Sequence, residues 1–291
     1  MPSSRGTVSA LIVNYRAYDE LIRCLPALQS QSPIQTAEII VVDHGSVADR
    51  ANGVRRSFPE AAIVGIAANE GFAAGVNRAA AQARGEYLLL VNPDTVCEPT
   101  LVAVLKGWLD AHPQVAVVGP RIVNDDGSLQ ASARRFPDPT TAIAGRTTFL
   151  TRLFPRNPLT RRNLGYSFTA EPQTVDWVSG ACAMVRASAF RDVGGMDADF
   201  FLYWEDADLC RRLRDAGWET MYVPTVRAVH AGGRASRYAR LRALLAFHRS
   251  AYRYYRKHGG RAAALTAPAV WAGLWVRAGV KALALLVRSR P

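Results

Sequence analysis

Five short constellations carry side chains that could do chemistry. Asp43 closes the apolar run EIIVVD and is followed by His44, Gly45 and Ser46. A carboxylate there can accept the ring N–H of a pyrimidine or bond a ribose hydroxyl; by itself it reads more simply as a turn or helix-cap aspartate. The stretch Asn69-Glu-Gly71-Phe72-Ala-Ala-Gly75-Val-Asn77 sets small residues at a loop-to-helix junction. A ligand can approach the backbone there and free N–H groups attract phosphate, though a tight turn with close helix packing explains the same residues equally well. Asn92-Pro93-Asp94 follows YLLLV; its oxygen ligands suit Mg²⁺ or Mn²⁺ completed by substrate phosphates, while Asn-Pro-Asp is also a plain turn. Trp204-Glu205-Asp206-Ala207-Asp208 opens a helix whose later turns carry Arg211, Arg212 and Arg214. Acids early and bases late complement a helix dipole, yet an attacking hydroxyl must lose a proton, and a carboxylate placed here can take it. The aromatic run from Phe200 to Trp204 would raise the pKa of a nearby carboxylate. His230, in AVHAGG, can complete a metal site, although a lone histidine carries weight only in combination.

The elements that must position these groups are legible as an alternation. Apolar runs at 8–13, 38–43 and 87–92 predict strands, and between them Leu21, Cys24, Leu25 and Leu28 and the alanine-rich 73–83 predict helices. Such βαβ units give a mostly parallel sheet buried on both faces, with ligands beyond the carboxyl ends of the strands, where Asp43 and Asn92–Asp94 fall. Further along, the pattern predicts a helix at 100–111, a strand at 115–123, strand character at 175–186, a helix at 205–216 and a short strand at 219–223. A long irregular region covers 131–172, and a basic, aromatic helix at 236–258 stops at Gly259–Gly260.

The 291 residues suffice for one large α/β domain and an appendage. Cys24, Cys97, Cys182 and Cys210 show no metal-binding spacing and read as isolated reduced thiols of a cytoplasmic protein. The N-terminal stretch reads as a strand rather than a signal peptide. No run reaches the ~20 apolar residues of a membrane span; residues 262–276 come nearest and include Pro268. The net charge of +12 is concentrated: no Asp or Glu follows Glu219, whereas 14 Lys and Arg lie from Met221 onward. That points to a polyanionic partner for the tail, such as a membrane surface, a lipid pyrophosphate or a nucleic acid.

Taken together and in this order, the motifs resemble the inverting glycosyltransferases of family two, with the GT-A fold, and within them the rhamnosyltransferase-like members. The resemblance runs from about Val8 to Gly260 and is most specific over VDWVSGACAMVRASAFRDVGGMDADFFLYWEDADLCRRLRDAGW and YVPTVRAVHAGG. It implies a Rossmann-like, mostly parallel central sheet flanked by helices over 1–232, with a C-terminal helical extension over 233–291. It also implies a nucleotide-sugar donor and a divalent metal, Mg²⁺ or Mn²⁺. Asp43 and Ser46 would bind the nucleotide, with Asn69, Gly71, Phe72, Gly75, Asn77 and Asn92 lining its pocket. Asp94, the last residue of the family's Asp-X-Asp motif, and His230 would hold the metal. Asp206 would deprotonate the acceptor and Glu205 position it, with Trp204, Gly194 and Gly195 on the acceptor side. Asn92 stands at the first acidic position of Asp-X-Asp, and His44 where Asn is common. The implied reaction is a single in-line displacement with inversion, which needs one base rather than the carboxylate pair of a retaining hydrolase. L-rhamnose from dTDP-rhamnose is the expected donor group, and UDP-galactofuranose, UDP-glucose or UDP-N-acetylglucosamine are the alternatives. A cell-surface glycan or a polyprenyl-diphosphate-linked glycan is the expected acceptor. A nucleotidyltransferase fits YWEDADL poorly, and a nucleic-acid-binding protein fits a near-neutral body with a basic tail poorly, so nucleic acid is not expected as a partner.

On a helical wheel of about 100° per residue, Arg277, Lys281 and Arg288 share a narrow edge while Trp271, Trp275 and Leu286 lie on a broad apolar side. This is the pattern of a helix lying in a membrane interface, and it predicts peripheral contact with anionic lipid at the inner face of the cell membrane.

Overall fold

The computed structural model describes residues 6–31, 38–138, 153–154, 157–160, 166, 169–231 and 240–288. Most of the region expected to be irregular, the first residues of the 236–258 helix and the expected domain boundary at 232–233 lie outside the described residues.

Strands β1 (Val8–Tyr15), β2 (Glu38–His44), β3 (Ala61–Ile66) and β4 (Tyr87–Val91) alternate with helices α1 (Tyr18–Gln29), α2 (Ala48–Ser57) and α3 (Phe72–Ala80). The chain continues through β5 (Thr95–Cys97), α4 (Leu101–Ala111), β6 (Val115–Val123), β7 (Leu129–Gln130), β8 (Ala133–Arg134), β9 (Gln173–Val175), β10 (Trp177–Val178) and β11 (Cys182–Arg186). Helices α5 (Ala187–Asp192) and α6 (Glu205–Asp215), strand β12 (Glu219–His230), and helices α7 (Arg240–His258) and α8 (Gly260–Arg288) complete it. The main sheet runs β3-β2-β1-β4-β11-β6-β12-β5. Pairs β3–β2, β2–β1, β1–β4 and β6–β12 are parallel. Strand β11 runs against both β4 and β6, and β5 runs against β12. Six of the eight strands therefore share one direction.

The sheet is buried on both faces. Along β4, Tyr87, Leu89 and Val91 enter one core and Leu88 and Leu90 the other, as the two-residue period requires. Each of those leucines contributes about 1.5–3 kcal/mol of burial.

Three departures from expectation have physical causes. Strand β3 was not predicted, because Ala61, Ala62 and Gly65 dilute its apolar signal. The strand expected at 219–223 extends to His230, passing an irregularity between Val223 and Arg227 at Pro224, whose missing N–H interrupts the ladder. The strand character of 175–186 divides among β9, β10 and β11, because Ser179–Ala181 turns the chain from a small two-stranded sheet into the main one. In the tail, α8 begins at Gly260 directly after α7, and Pro268 is accommodated inside it.

Candidate active site

The functional groups gather at one edge of the sheet, the carboxyl end of its parallel strands. Strand β2 delivers Asp43 there, buried beside β1. Asn14 Nδ2 donates to its Oδ1 (2.7 Å) and the Tyr18 hydroxyl to its Oδ2 (2.8 Å), and the Tyr18 oxygen accepts from the Val47 N–H (2.9 Å). Burial raises the Tyr18 pKa, and the Asp43 charge adds to it, so the phenol stays a donor. The carboxylate is thus locked in one rotamer while keeping lone pairs for a further donor. Ser46 lies beside Tyr18 and under Gly65.

The loop before α3 is clamped to the loop before α6. Asn69 Oδ1 accepts from the Gly71 N–H (3.0 Å) and from His44 Nδ1 (3.2 Å), and the Phe72 N–H donates to the Phe201 carbonyl (2.8 Å). Gly71 sits at φ 93°, where a Cβ would stand 2.5 Å from that carbonyl oxygen. Gly71→Ala is therefore expected to cost about 1–3 kcal/mol, read as a Tm lower by roughly 3–10 °C together with weakened donor binding. An unchanged melt and unchanged affinity would contradict this clamp. Deeper in, Gly75 faces Val13 and His44. Asn77 engages both its polar atoms with the backbone of Met196, donating at 2.7 Å and accepting at 2.8 Å. Those bonds secure the turn at Gly194 and Gly195, whose φ values are 75° and 73°.

At the end of β4, Asn92 and Asp94 meet His230 across 136–138 residues of sequence, because β5 and the last residues of β12 pair with Thr95 opposite His230. Asp94 Oδ1 lies 3.2 Å from His230 Nε2, and Asn92 Nδ2 donates to the same nitrogen at 3.2 Å. Gln130 orients the ring. Its Nε2 donates to the His230 carbonyl (2.7 Å) and to Asn124 Oδ1 (2.6 Å), leaving its Oε1 to accept from His230 Nδ1 (3.0 Å). In that tautomer Nε2 is an acceptor, engaged by the Asn92 N–H and 3.2 Å from the Asp94 carboxylate, so a cation that displaced the Asn92 amide would sit between a carboxylate oxygen and an imidazole nitrogen. An oxygen and an imidazole nitrogen fit a divalent cation that takes its other ligands from phosphates and water. Among the described residues no cluster of three or more His, Cys, Asp or Glu forms a complete cage.

Glu205 and Asp206 open α6 after Tyr203 and Trp204, both in left-handed conformations (φ 69° and 74°). Such strain is held only where surrounding packing imposes it, and α7 supplies that packing. Trp204 lies against Phe247 and Tyr254 at ring-centroid distances of 5.6 and 5.4 Å, and the Ser250 hydroxyl donates to the Leu202 carbonyl (3.0 Å). Asp206 is partly exposed; its Oδ2 accepts from the Gly180 N–H (3.1 Å) and its Oδ1 from the Ala207 N–H (2.8 Å). Burial raises its pKa, and those two N–H groups oppose the rise. Glu205 is 6% exposed and its Oε2 has no hydrogen-bond partner. Burial, then the Asp206 charge, push its pKa well above the ordinary value. Residues Gly180–Ala181 join the two halves of the site: the Gly180 N–H holds Asp206, while the Ala181 carbonyl accepts from the Asn92 N–H (3.0 Å) and the Thr95 hydroxyl (3.2 Å). The Phe72 ring also borders Gly180, so the Gly71 loop, the Asn92–Asp94–His230 edge and Asp206 converge there.

The chain matches the family model "Glycosyl transferase family 2" over residues 9–194. The chain is a family 2 glycosyltransferase. It is 31% identical over 251 residues to the N-acetylglucosaminyl-diphospho-decaprenol L-rhamnosyltransferase of Mycobacterium tuberculosis, covering 82% of this chain and 81% of that one. Among solved structures it is similar to GalNAc-T7 with UDP, GalNAc and Mn²⁺ (TM-score 0.59, 16% identity, 77% of this chain). It is also similar to S. aureus TarS 1–349 in complex with UDP (TM-score 0.52, 14% identity, 84% of this chain). The glycosyltransferase spans 43% and 65% of those two longer chains. These likenesses show the GT-A-like fold.

Some groups that organise the site escaped the sequence reading. Gln130 lies between the strand expected at 115–123 and the irregular region expected from 131, in a two-residue strand too short to carry a periodic signal, and Asn14 and Tyr18 carried no spacing signal. Asp208 read only as part of an acidic helix start, yet it is fully buried. Arg212 Nε (2.7 Å), Lys257 Nζ (2.8 Å) and His258 Nε2 (2.8 Å) surround it. Burial alone would raise its pKa; the bonds from His258 and Lys257 and the Arg212 charge outweigh this and hold it at about 2. The folded pKa lies below the ordinary aspartate value of about 4, so the unfolded chain binds more protons and this group's stabilisation grows with pH. It amounts to about 2 kcal/mol above pH ~5 and is lost as pH falls towards ~2. Asp208→Asn is expected to flatten that part of the acid-unfolding curve, and an identical curve would contradict the account.

Proposed function

We propose that this glycosyltransferase transfers L-rhamnose from dTDP-rhamnose to a sugar hydroxyl of a polyprenyl-diphosphate-linked glycan, with inversion and with a divalent metal. It would act at the cytoplasmic face of the membrane, held there peripherally. The relative that is 31% identical over 82% of the chain supports the donor sugar and the lipid-linked acceptor. The observation that carries the chemistry is the Gly180–Ala181 junction, which sets the partly exposed Asp206 beside the Asn92–Asp94–His230 edge.

In this reading Asp43 accepts the thymine N–H with Ser46, Asn69 and Gly71 lining the nucleotide loop, and Asp94 and His230 hold the metal. The bound metal would neutralise the diphosphate charge that develops as the bond breaks. Asp206 takes the proton from the acceptor hydroxyl while that oxygen forms its bond to the anomeric carbon, and the bond from that carbon to the diphosphate oxygen breaks on the opposite face. A raised pKa makes Asp206 a stronger base, provided that it is ionised at the working pH. Glu205, pushed towards its neutral form by burial and by the Asp206 charge, sits beside it in the first turn of α6, and Trp204 with the Gly194–Gly195 turn shapes the acceptor side.

Calorimetric titration with dTDP-rhamnose and a panel of UDP-sugars, with and without Mn²⁺, tests the donor assignment. Tightest binding of dTDP-rhamnose, dependent on Mn²⁺, is expected. Preference for a UDP-sugar would replace the donor, and metal-independent binding would remove the metal.

A further inference from the structure

Helix α8 is polarised opposite to a water-facing surface helix. Ala263, Ala267 and Ala278 are buried and mark the side laid on α7. Arg277 and Lys281, two members of the narrow basic edge seen on the helical wheel, lie near that inner side, half-buried, with their charges reaching His248 on α7. Turned outward are Leu265, Val276, Val280 and Leu283, exposed by 86%, 68%, 65% and 64%. On a wheel of about 100° per residue these four fall within an arc of roughly 60°, and they extend over about 27 Å. No charged side chain interrupts the strip between Leu265 and Leu283.

The helix is also held flat. The stretch Ala263–Leu285, 23 residues, is long and apolar enough to cross a membrane by length and composition, although the sequence shows no uninterrupted apolar run of that length. Its start nevertheless packs at Gly259, Thr266 bonds Tyr255, and its later turns lie by His248, so α8 runs back along α7. Helix α7 in turn is fixed to the catalytic body through Asp208, Trp204 and Leu202. Crossing a bilayer would require peeling this hairpin apart.

Charge identifies what covers the strip. No acidic residue follows Glu219, and on α7 the exposed Arg242, Arg249 and Arg256 recur every seven residues, one stripe of a helix. A second copy of the chain would bring like charges together, whereas an anionic bilayer satisfies both the apolar strip and the arginines.

We propose that the α7–α8 hairpin is an in-plane docking surface for an anionic lipid bilayer, with the Leu265–Leu283 strip sunk among the acyl chains. Because α7 also packs on Trp204, docking holds the turn that carries Asp206 close to the membrane. The acceptor part of this statement rests on the proposed function; the membrane contact does not.

The test uses the full chain and vesicles of pure phosphatidylcholine or of phosphatidylcholine with phosphatidylglycerol in equal parts. The chain is expected to co-sediment with the anionic vesicles, and Val276→Glu with Val280→Glu to weaken that binding at least tenfold. Both positions face outward, so the melting temperature and the calorimetric affinity for nucleotide sugar should not change. Replacing Arg242, Arg249 and Arg256 by Gln should weaken binding to anionic vesicles and reduce its salt dependence. Equal sedimentation of the valine variant, or none by the wild type, overturns the proposal. So does a dimer in solution that the valine variant converts to monomer without any change in vesicle binding. Failure of donor binding alone would fault the proposed function and leave the docking surface standing.

Discussion

Asp206→Asn is expected to lower kcat by about 10²–10⁴-fold, the usual contribution of a positioned general base, with donor affinity nearly unchanged. Asparagine can still accept the Gly180 N–H, so the turn at 180–181 and the metal edge tied to Ala181 persist while the proton acceptor is lost. The neighbouring carboxylate is the control. Glu205 is buried, has an unpartnered Oε2 and is pushed towards its neutral form by burial and by Asp206. Glutamine imitates that form, so Glu205→Gln should cost far less than Asp206→Asn. The pH profile gives a second reading. Burial raises the Asp206 pKa, so the rate should climb with pH through a limb lying above the ordinary aspartate value of about 4, and that limb should vanish in the asparagine variant. Normal turnover by Asp206→Asn would remove the base assignment outright.

Asp94→Ala should fail at a different step. With its carboxylate gone, His230 and Asn92 offer a divalent cation no anionic ligand. Several kcal/mol of charge stabilisation are then lost, which corresponds to roughly 10²–10³-fold or more in kcat/KM. The loss should appear in calorimetry as donor binding that no longer responds to Mn²⁺. Gln130→Ala should produce a milder version, about 10–100-fold, because Gln130 only orients the ligand ring through Nδ1. Unchanged, metal-responsive donor affinity in Asp94→Ala would count against the metal role.

Much of this arrangement was legible in the sequence because its signals are local. The apolar runs of β1, β2 and β4 fix the parallel half of the sheet, and Asp43 and Asp94 fall at strand ends by simple counting. The pairing of His230 with Asp94 was not legible from local pattern. It depends on β12 continuing past Pro224 and taking β5 as an antiparallel neighbour, a contact across more than 130 residues. Asp208 shows the opposite limit. Its position early in a helix is explained by the helix dipole, and only the return of α7, carrying Lys257 and His258, makes it a buried charge centre. The tail reads in the sequence as a basic edge beside a broad apolar side, but a helical wheel orders residues around an axis and cannot say which side meets the protein; only the return of α8 along α7 shows Arg277 and Lys281 half-buried near His248.

The most direct test of the account is a transfer reaction with purified enzyme, dTDP-rhamnose and a polyprenyl-diphosphate-linked N-acetylglucosamine, followed with Mn²⁺ and with the metal removed by chelation. The account predicts a rhamnosylated lipid of inverted anomeric configuration that forms only with metal and not with Asp206→Asn. A product of retained configuration, or one formed equally well by Asp206→Asn, would contradict it.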